Sequence, residues 1–65
     1  MKILIWKARK EKNLTLKQLE VLTGISKTTL NYIENGERSP KLEQLEKIAI
    51  VLNVRMTDLF ELEYR

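Results

Sequence analysis

Several residue types that carry much of protein chemistry are missing or rare in this chain. Its 65 residues include no cysteine and no histidine, and Asp58 is the only aspartate. Without cysteine no disulfide can form, and without both residues the usual ligands of zinc and other soft metals are lacking, so we expect no metal site. The chain also has no glycine-rich phosphate loop. We therefore expect neither an enzyme nor a cofactor.

Long apolar runs are also missing. The short stretch from Ile3 to Trp6 lacks the length and the cleavage site of a signal peptide, and no run approaches the roughly 20 residues of a membrane span. We therefore expect no membrane association and a cytoplasmic location. A chain of 65 residues holds one small core, so we expect a single domain over 1–65 with no room for a second module.

Charge is unevenly distributed along the sequence. Residues 1–41 contain nine Lys or Arg and four Glu, a balance of +5, whereas residues 42–65 contain three basic and five acidic groups, a balance of −2. A basic N-terminal part and an acidic C-terminal part are typical of a module that places one face against a polyanion. The alternative is that a division along the sequence is not a division in space.

The apolar spacing and the helix-ending residues predict short helices joined by tight turns. A first helix is expected at about 2–12. Thr15, with Gln18 three residues later, has the pattern of a capping box, so a second helix is expected to begin there and to end at Gly24. Strand signals are weak throughout, so the sequence favours an all-α fold.

Three further helices complete a compact five-helix bundle. The third is expected from Ser26 to Asn35, the fourth from Ser39-Pro40 to about Leu52, and a short fifth after Thr57-Asp58. The apolar stripes of these helices predict the following core: Ile5, Leu14, Leu19, Ile25, Leu30, Ile33, Leu45, Ile48, Leu52, Leu59 and Phe60.

The third helix differs from the others because its outward residues are polar. A minimal turn containing Gly24 joins it to the second helix, and such a turn crosses two helices at about 90 to 120 degrees and projects the second one outward. Lys27, Thr28 and Asn31 then face outward with hydrogen-bonding side chains. A helix of this kind fits a DNA major groove, about 12 Å wide, so we expect double-stranded DNA as a partner.

One pattern extends without gaps between Asn13 and Phe60. It consists of Leu14, Thr15, Leu19, Gly24, Ile25, Ser26, Leu30, Ile33, Glu34, Asn35, Gly36, Pro40, Leu45, Ile48, Ala49, Leu52, Val54, Leu59 and Phe60. As a set, this pattern resembles the Cro/repressor-type, or XRE, helix-turn-helix family of bacterial and phage regulators. The resemblance implies a lambda-repressor-like fold, with the helix-turn-helix formed by helices 2 and 3. It also implies a homodimeric transcription regulator, a repressor, on a pseudo-palindromic operator.

The resemblance also implies roles for individual residues. For the base and phosphate contacts, the alternative is an ordinary solvated surface. Base contacts fall on Lys27, Thr28 and Tyr32, with Asn31 as a weaker candidate. Phosphate contacts fall on helix ends and flanking cations, namely Thr15, Lys17, Ser26, Asn35, Arg38 and Lys41. Arg9 and Glu34 match a structural ion pair that joins helix 1 to the end of helix 3.

Two residues depart from the family pattern. Leu16 stands where the family commonly has a glutamine that touches DNA, so that contact is expected to be absent. Glu20 stands where a small residue, alanine, usually allows helices 2 and 3 to approach closely. We expect either a local distortion or a glutamate turned outward.

Apolar residues also occupy positions where the pattern predicts exposure: Trp6, Ile50, and Leu62 or Tyr64. Either the small domain covers them or they form a dimer interface. We expect a two-fold dimer through helix 5 and the tail, with Leu59, Leu62 and Tyr64 in the interface. An alternative function of the same fold is a protein-interaction module, such as an antitoxin that holds a toxin partner.

Overall fold

The computed structural model describes residues 1–62, and this part of the chain is mostly helical. Four α-helices occur there: α1 (Ile5–Glu11), α2 (Leu16–Thr23), α3 (Lys27–Glu34) and α4 (Leu42–Leu52). They are accompanied by a single 3₁₀ turn (Met56–Asp58) and two short strands, β1 (Lys2–Ile3) and β2 (Phe60–Glu61). None of the helices between residues 1 and 62 is long and apolar enough to cross a membrane.

The ends of α2 and α3 follow the sequence prediction. Thr15 and Gln18 form the capping box, since the Thr15 hydroxyl accepts from the Gln18 amide at 3.1 Å and the Gln18 side chain accepts from the Thr15 amide at 2.8 Å. Gly24 ends α2 with a φ of +76°, a left-handed conformation that glycine adopts without steric cost. Ser26 caps α3, and Asn35 follows its last turn.

The prediction of a fifth helix after Thr57-Asp58 is wrong, because only one 3₁₀ turn forms there. The Asp58 side chain accepts from the Arg55 amide at 2.9 Å, which closes the turn, and Phe60 then continues as a strand. The start of α4 is also corrected. The helix begins at Leu42 with Lys41 in the N-cap position, rather than at Ser39-Pro40.

A small antiparallel sheet joins the two ends of the described chain, so the all-α prediction needs correction. Lys2 pairs with Glu61 and Ile3 with Phe60. The Leu4 amide also donates to the Leu59 carbonyl at 2.8 Å, so the first helix begins only at Ile5. Strands of two residues are too short to show alternation in a sequence, and their pairing partners are almost sixty residues apart along the chain.

The core lies between the helices and beneath the 3₁₀ turn. Its buried apolar residues are Ile5, Ala8, Leu19, Ile25, Leu30, Ile33, Leu45, Ile48, Ala49, Leu52 and Leu59. Leu14 and Phe60, predicted as core residues, are only partly buried and pack against it. Trp6, Ile50 and Leu62 are 56%, 72% and 66% exposed, so the described part of the chain does not cover them.

Candidate nucleic-acid interface

The turn between α2 and α3 is held from inside by Thr23. This buried hydroxyl donates to the Leu19 carbonyl at 2.7 Å and accepts from the Ile25 amide at 3.1 Å. Ile25 is itself buried, so the turn is fastened by both a hydrogen bond and an apolar contact with the core. Sequence analysis missed this role of Thr23. Its signal was a hydroxyl one residue before the helix-ending Gly24.

Two faces of α3 have opposite character. Leu30 and Ile33 are fully buried, whereas Lys27, Thr28 and Asn31 are exposed and Tyr32 is 39% exposed. These four exposed side chains, together with Leu16, line one open depression of about 440 Å³. The predicted base-contact residues thus share one surface. Leu16 replaces the family's DNA-contacting glutamine, and it forms the apolar part of the same surface.

Two side chains bind amides at the beginning of α3. The Ser26 hydroxyl accepts from the Thr29 amide at 3.1 Å and donates to the Thr29 hydroxyl at 2.9 Å. Glu20, on α2, accepts from the Lys27 amide at 2.9 Å and from the Lys17 ammonium at 3.1 Å. This end of the helix is therefore fastened both by its own cap and by the preceding helix.

Of the two alternatives expected at Glu20, the local distortion does not occur, because α2 runs continuously to Thr23. The glutamate side chain is partly exposed and turns toward the start of α3 rather than fully outward. Its environment favours the ionised form. The hydrogen bond from the Lys27 amide, followed by the hydrogen bond from Lys17, lowers the pKa of the Glu20 carboxyl below its usual value of 4.5. A negative charge at the beginning of a helix is also stabilised by the helix dipole.

The other end of α3 brings Arg38 against Tyr32. The Arg38 guanidinium lies 5.4 Å from the centre of the Tyr32 ring, a cation–π distance. The Glu37 and Arg38 amides both donate to the Tyr32 carbonyl, at 2.9 and 3.3 Å, so the loop after α3 folds back on the helix. One predicted phosphate contact is therefore next to one predicted base contact.

All six residues predicted to contact phosphate are exposed: Thr15, Lys17, Ser26, Asn35, Arg38 and Lys41. They are located at the start of α2, at both ends of α3, in the following loop and at the start of α4. Their contacts with DNA stay predictions. Within residues 1–62, no group of three or more acidic, histidine or cysteine side chains is placed to hold a metal ion.

Arg9 and Glu34 form a buried bidentate ion pair. The Arg9 Nε and Nη2 atoms donate to the two Glu34 carboxylate oxygens at 2.8 and 3.0 Å, and Nη1 donates to the Leu14 carbonyl at 2.8 Å. The side chains are only 9% and 4% exposed. The pair connects α1 to the last residue of α3, so the far end of α3 is fastened as well.

The residues predicted for a dimer interface do not share one environment. Leu59 is fully buried in the core, so it is not available on an exposed face and its assignment is corrected. Leu62 is 66% exposed. Tyr64 lies outside the described residues.

Comparison with known proteins assigns this arrangement of helices to a family. A sequence profile described as helix-turn-helix matches residues 7–59, most of the chain. This chain belongs to the helix-turn-helix family. The resemblance to Cro/repressor-type regulators is therefore confirmed.

The relatives of this chain include a named transcriptional regulator and a controller protein. The transcriptional regulator SlrR of Bacillus subtilis (strain 168) is 39% identical over 56 residues, which cover 85% of this chain but only 37% of SlrR. The ImmF control region 10 kDa protein of Bacillus phage phi105 is 39% identical over 86% of this chain and 62% of its own length. The crystal structure of the restriction-modification controller protein C.AhdI from Aeromonas hydrophila superposes with a TM-score of 0.81 at 27% identity, covering 86% of this chain and 85% of that one.

Proposed function

We propose that this protein is a cytoplasmic transcriptional regulator, a repressor, that reads the major groove of double-stranded DNA with α3. The observation that carries the proposal is the exposed polar face of α3, which gathers Lys27, Thr28, Asn31 and Tyr32 on one surface. Side chains near the beginning of a helix that projects from a tight turn are placed to meet base edges. The regulator names of the relatives support the same function.

The chemistry of these side chains fits base reading. Lysine donates to the guanine acceptors of the major groove, asparagine pairs with adenine, and the threonine methyl group packs against the thymine methyl group. The exposed Arg38 and Lys41, in the loop after α3 and at the start of α4, supply positive charge for the phosphates. In this proposal α3 supplies sequence specificity, and the flanking residues supply register and affinity.

The active species in this proposal is a two-fold homodimer. A helix of eight residues, such as α3, is about 12 Å long and reads only a few base pairs. Two copies of α3 about 34 Å apart would enter adjacent major grooves on one face of a pseudo-palindromic operator. The exposed apolar side chains of Trp6, Ile50 and Leu62 support an interface between copies.

A protein-interaction module, such as the antitoxin of a toxin pair, is the second candidate. The exposed Val21 and Leu22 favour it, since they border an apolar groove on α2 with Leu14. DNA affinity that changes when a candidate toxin is added, together with a toxin gene beside this one, would favour this candidate.

Selection of bound sequences from a random DNA pool tests the proposed function. The expected result is one motif with two-fold symmetry, followed by sedimentation of two protein chains per selected duplex. Enrichment of no sequence would contradict DNA reading. One chain per duplex at saturation, on a site with two intact half-sites, would contradict the dimer alone.

A further inference from the structure

Glu20 links the two helices of the helix-turn-helix in a way that the sequence pattern did not predict. Its Oε2 atom accepts from the backbone amide of Lys27, the first residue of α3, at 2.9 Å, seven residues along the chain. Its Oε1 atom accepts from the Lys17 ammonium at 3.1 Å. The Glu20 side chain is 29% exposed, against 73% for Lys17, so the carboxylate is held against the protein while the lysine extends outward.

The hydrogen bond to Lys27 fixes the backbone from which the base-contact side chains project. Amides in the first turn of a helix have no partner within the helix. In α3, Glu20 binds the amide of Lys27 and Ser26 binds the amide of Thr29, so two of the first three amides have side-chain partners. One of these partners, Glu20, is a residue of α2. The direction of Lys27 and Thr28 is therefore set relative to α2.

The carboxylate also occupies a place that would otherwise attract any phosphate. Free amides and the positive end of the dipole make the start of a helix favourable for anions. At α3 that end already holds a carboxylate, and the same carboxylate binds the nearby Lys17. Both interactions reduce the attraction of this region for DNA of arbitrary sequence, because that attraction depends on phosphate contacts.

We propose that Glu20 is a positioning residue that increases discrimination between specific and random DNA. It holds the start of α3 in the reading orientation, and it keeps Lys17 and the Lys27 amide from binding phosphates indiscriminately. The inference rests on the proposed function, since it presupposes that α3 reads DNA. A small residue at position 20 would leave α3 without this connection.

Two substitutions separate the two parts of this role. Glu20→Gln keeps a side-chain oxygen that can accept from the Lys27 amide but removes the charge, whereas Glu20→Ala removes both. Glu11→Gln is the matched control, because it removes one negative charge at an exposed position on α1. Glu11 borders a different depression, with Val54 and Phe60.

Binding is measured against a duplex that the wild-type protein selects from a random pool and against a scrambled duplex of the same composition. Glu20→Ala is expected to lower the affinity ratio by up to about fivefold, a value reached when the whole net contribution of the Lys27 hydrogen bond goes into orienting α3. Both Glu20 variants should steepen the salt dependence on the scrambled duplex by about 0.9, as Lys17 gains a phosphate contact. Glu20→Gln should lower the ratio less than Glu20→Ala, and Glu11→Gln should leave the ratio and the slope unchanged.

Hydrogen exchange of the Lys27 amide in the free protein provides a second readout. Protection should fall in Glu20→Ala and persist in Glu20→Gln, under conditions where thermal melts show that both are folded. Unchanged ratios in folded Glu20 variants, or equal changes in Glu11→Gln, would overturn the inference while leaving the proposed function intact. A wild-type protein that selects no sequence would overturn the proposed function, and the discrimination role with it.

Discussion

The helices α3 and α4 show how one small chain divides its surface between packing and recognition. In α4, Leu45, Ile48, Ala49 and Leu52 are buried along an eleven-residue helix. In the eight residues of α3, only Leu30 and Ile33 are buried, and the opposite face is polar. Because α3 has the smaller buried stripe, polar contacts at both of its ends also hold it in place.

The largest effect is expected from removing the ion pair at the end of α3. Glu34→Ala should lower the free energy of unfolding by about 3 to 5 kcal/mol, because it leaves the buried Arg9 guanidinium without its partner. Glu37→Ala, at an exposed position three residues later, is the control and should have little effect. Chemical denaturation measures both. Equal stabilities of the two variants would show that the ion pair does not hold α3.

The buried stripe of α4 can be tested within a single helix. Ile48→Ala should cost about 2 to 5 kcal/mol, because Ile48 is fully buried and its removal leaves a cavity. Ile50→Ala makes the same chemical change at a side chain that is 72% exposed, so its effect on the stability of the monomer should be small. Thermal melts compare the two. Equal losses would contradict the observed orientation of α4.

The loop between α3 and α4 offers a test of the residues expected to contact phosphate. Arg38→Ala and Lys41→Ala should each weaken binding to all DNA sequences alike and reduce the salt slope by about 0.9. Titrations with a selected and a scrambled duplex at several salt concentrations measure both effects. A loss confined to the selected duplex would place these residues among the base contacts instead.

The smallest expected effect concerns pH and the start of α3. The pKa of Glu20 is lowered in the folded protein, first by the Lys27 amide and then by Lys17, so its ionised form stabilises the fold above its usual pKa of 4.5. This contribution is lost as pH falls through the lower pKa of the folded state. Wild type should therefore melt above Glu20→Gln at neutral pH, with the difference closing in acid. A difference that is independent of pH would contradict the ionic contribution.

Local chemistry explains which features of the fold were predictable. The capping box of Thr15 and Gln18 and the end of α2 at Gly24 depend on residues within a few positions of each other, and both were confirmed. The buried pair Leu30 and Ile33 follows from helical spacing alone. Such features can be predicted because residues close together in the sequence determine them.

The features that sequence analysis missed depend on contacts between distant segments. The pairing of Ile3 with Phe60 joins the two ends of the described chain, and no alternation marks strands so short. The reach of Glu20 to the Lys27 amide depends on the angle between α2 and α3, which composition does not determine. The joining of Leu16 of α2 to the four predicted base-contact residues of α3 on one surface depends on the same angle.

In the proposed function, the beginning of α3 distinguishes DNA sequences. The most direct test compares Lys27→Ala and Thr28→Ala with Lys47→Ala, which removes an exposed lysine from α4. For each variant, the measured quantity is the ratio of affinities for the selected and the scrambled duplex. Lys27→Ala and Thr28→Ala should each lower the discrimination by about 1 to 3 kcal/mol, while Lys47→Ala leaves it unchanged. Equal discrimination in all three variants and the wild type would contradict the claim.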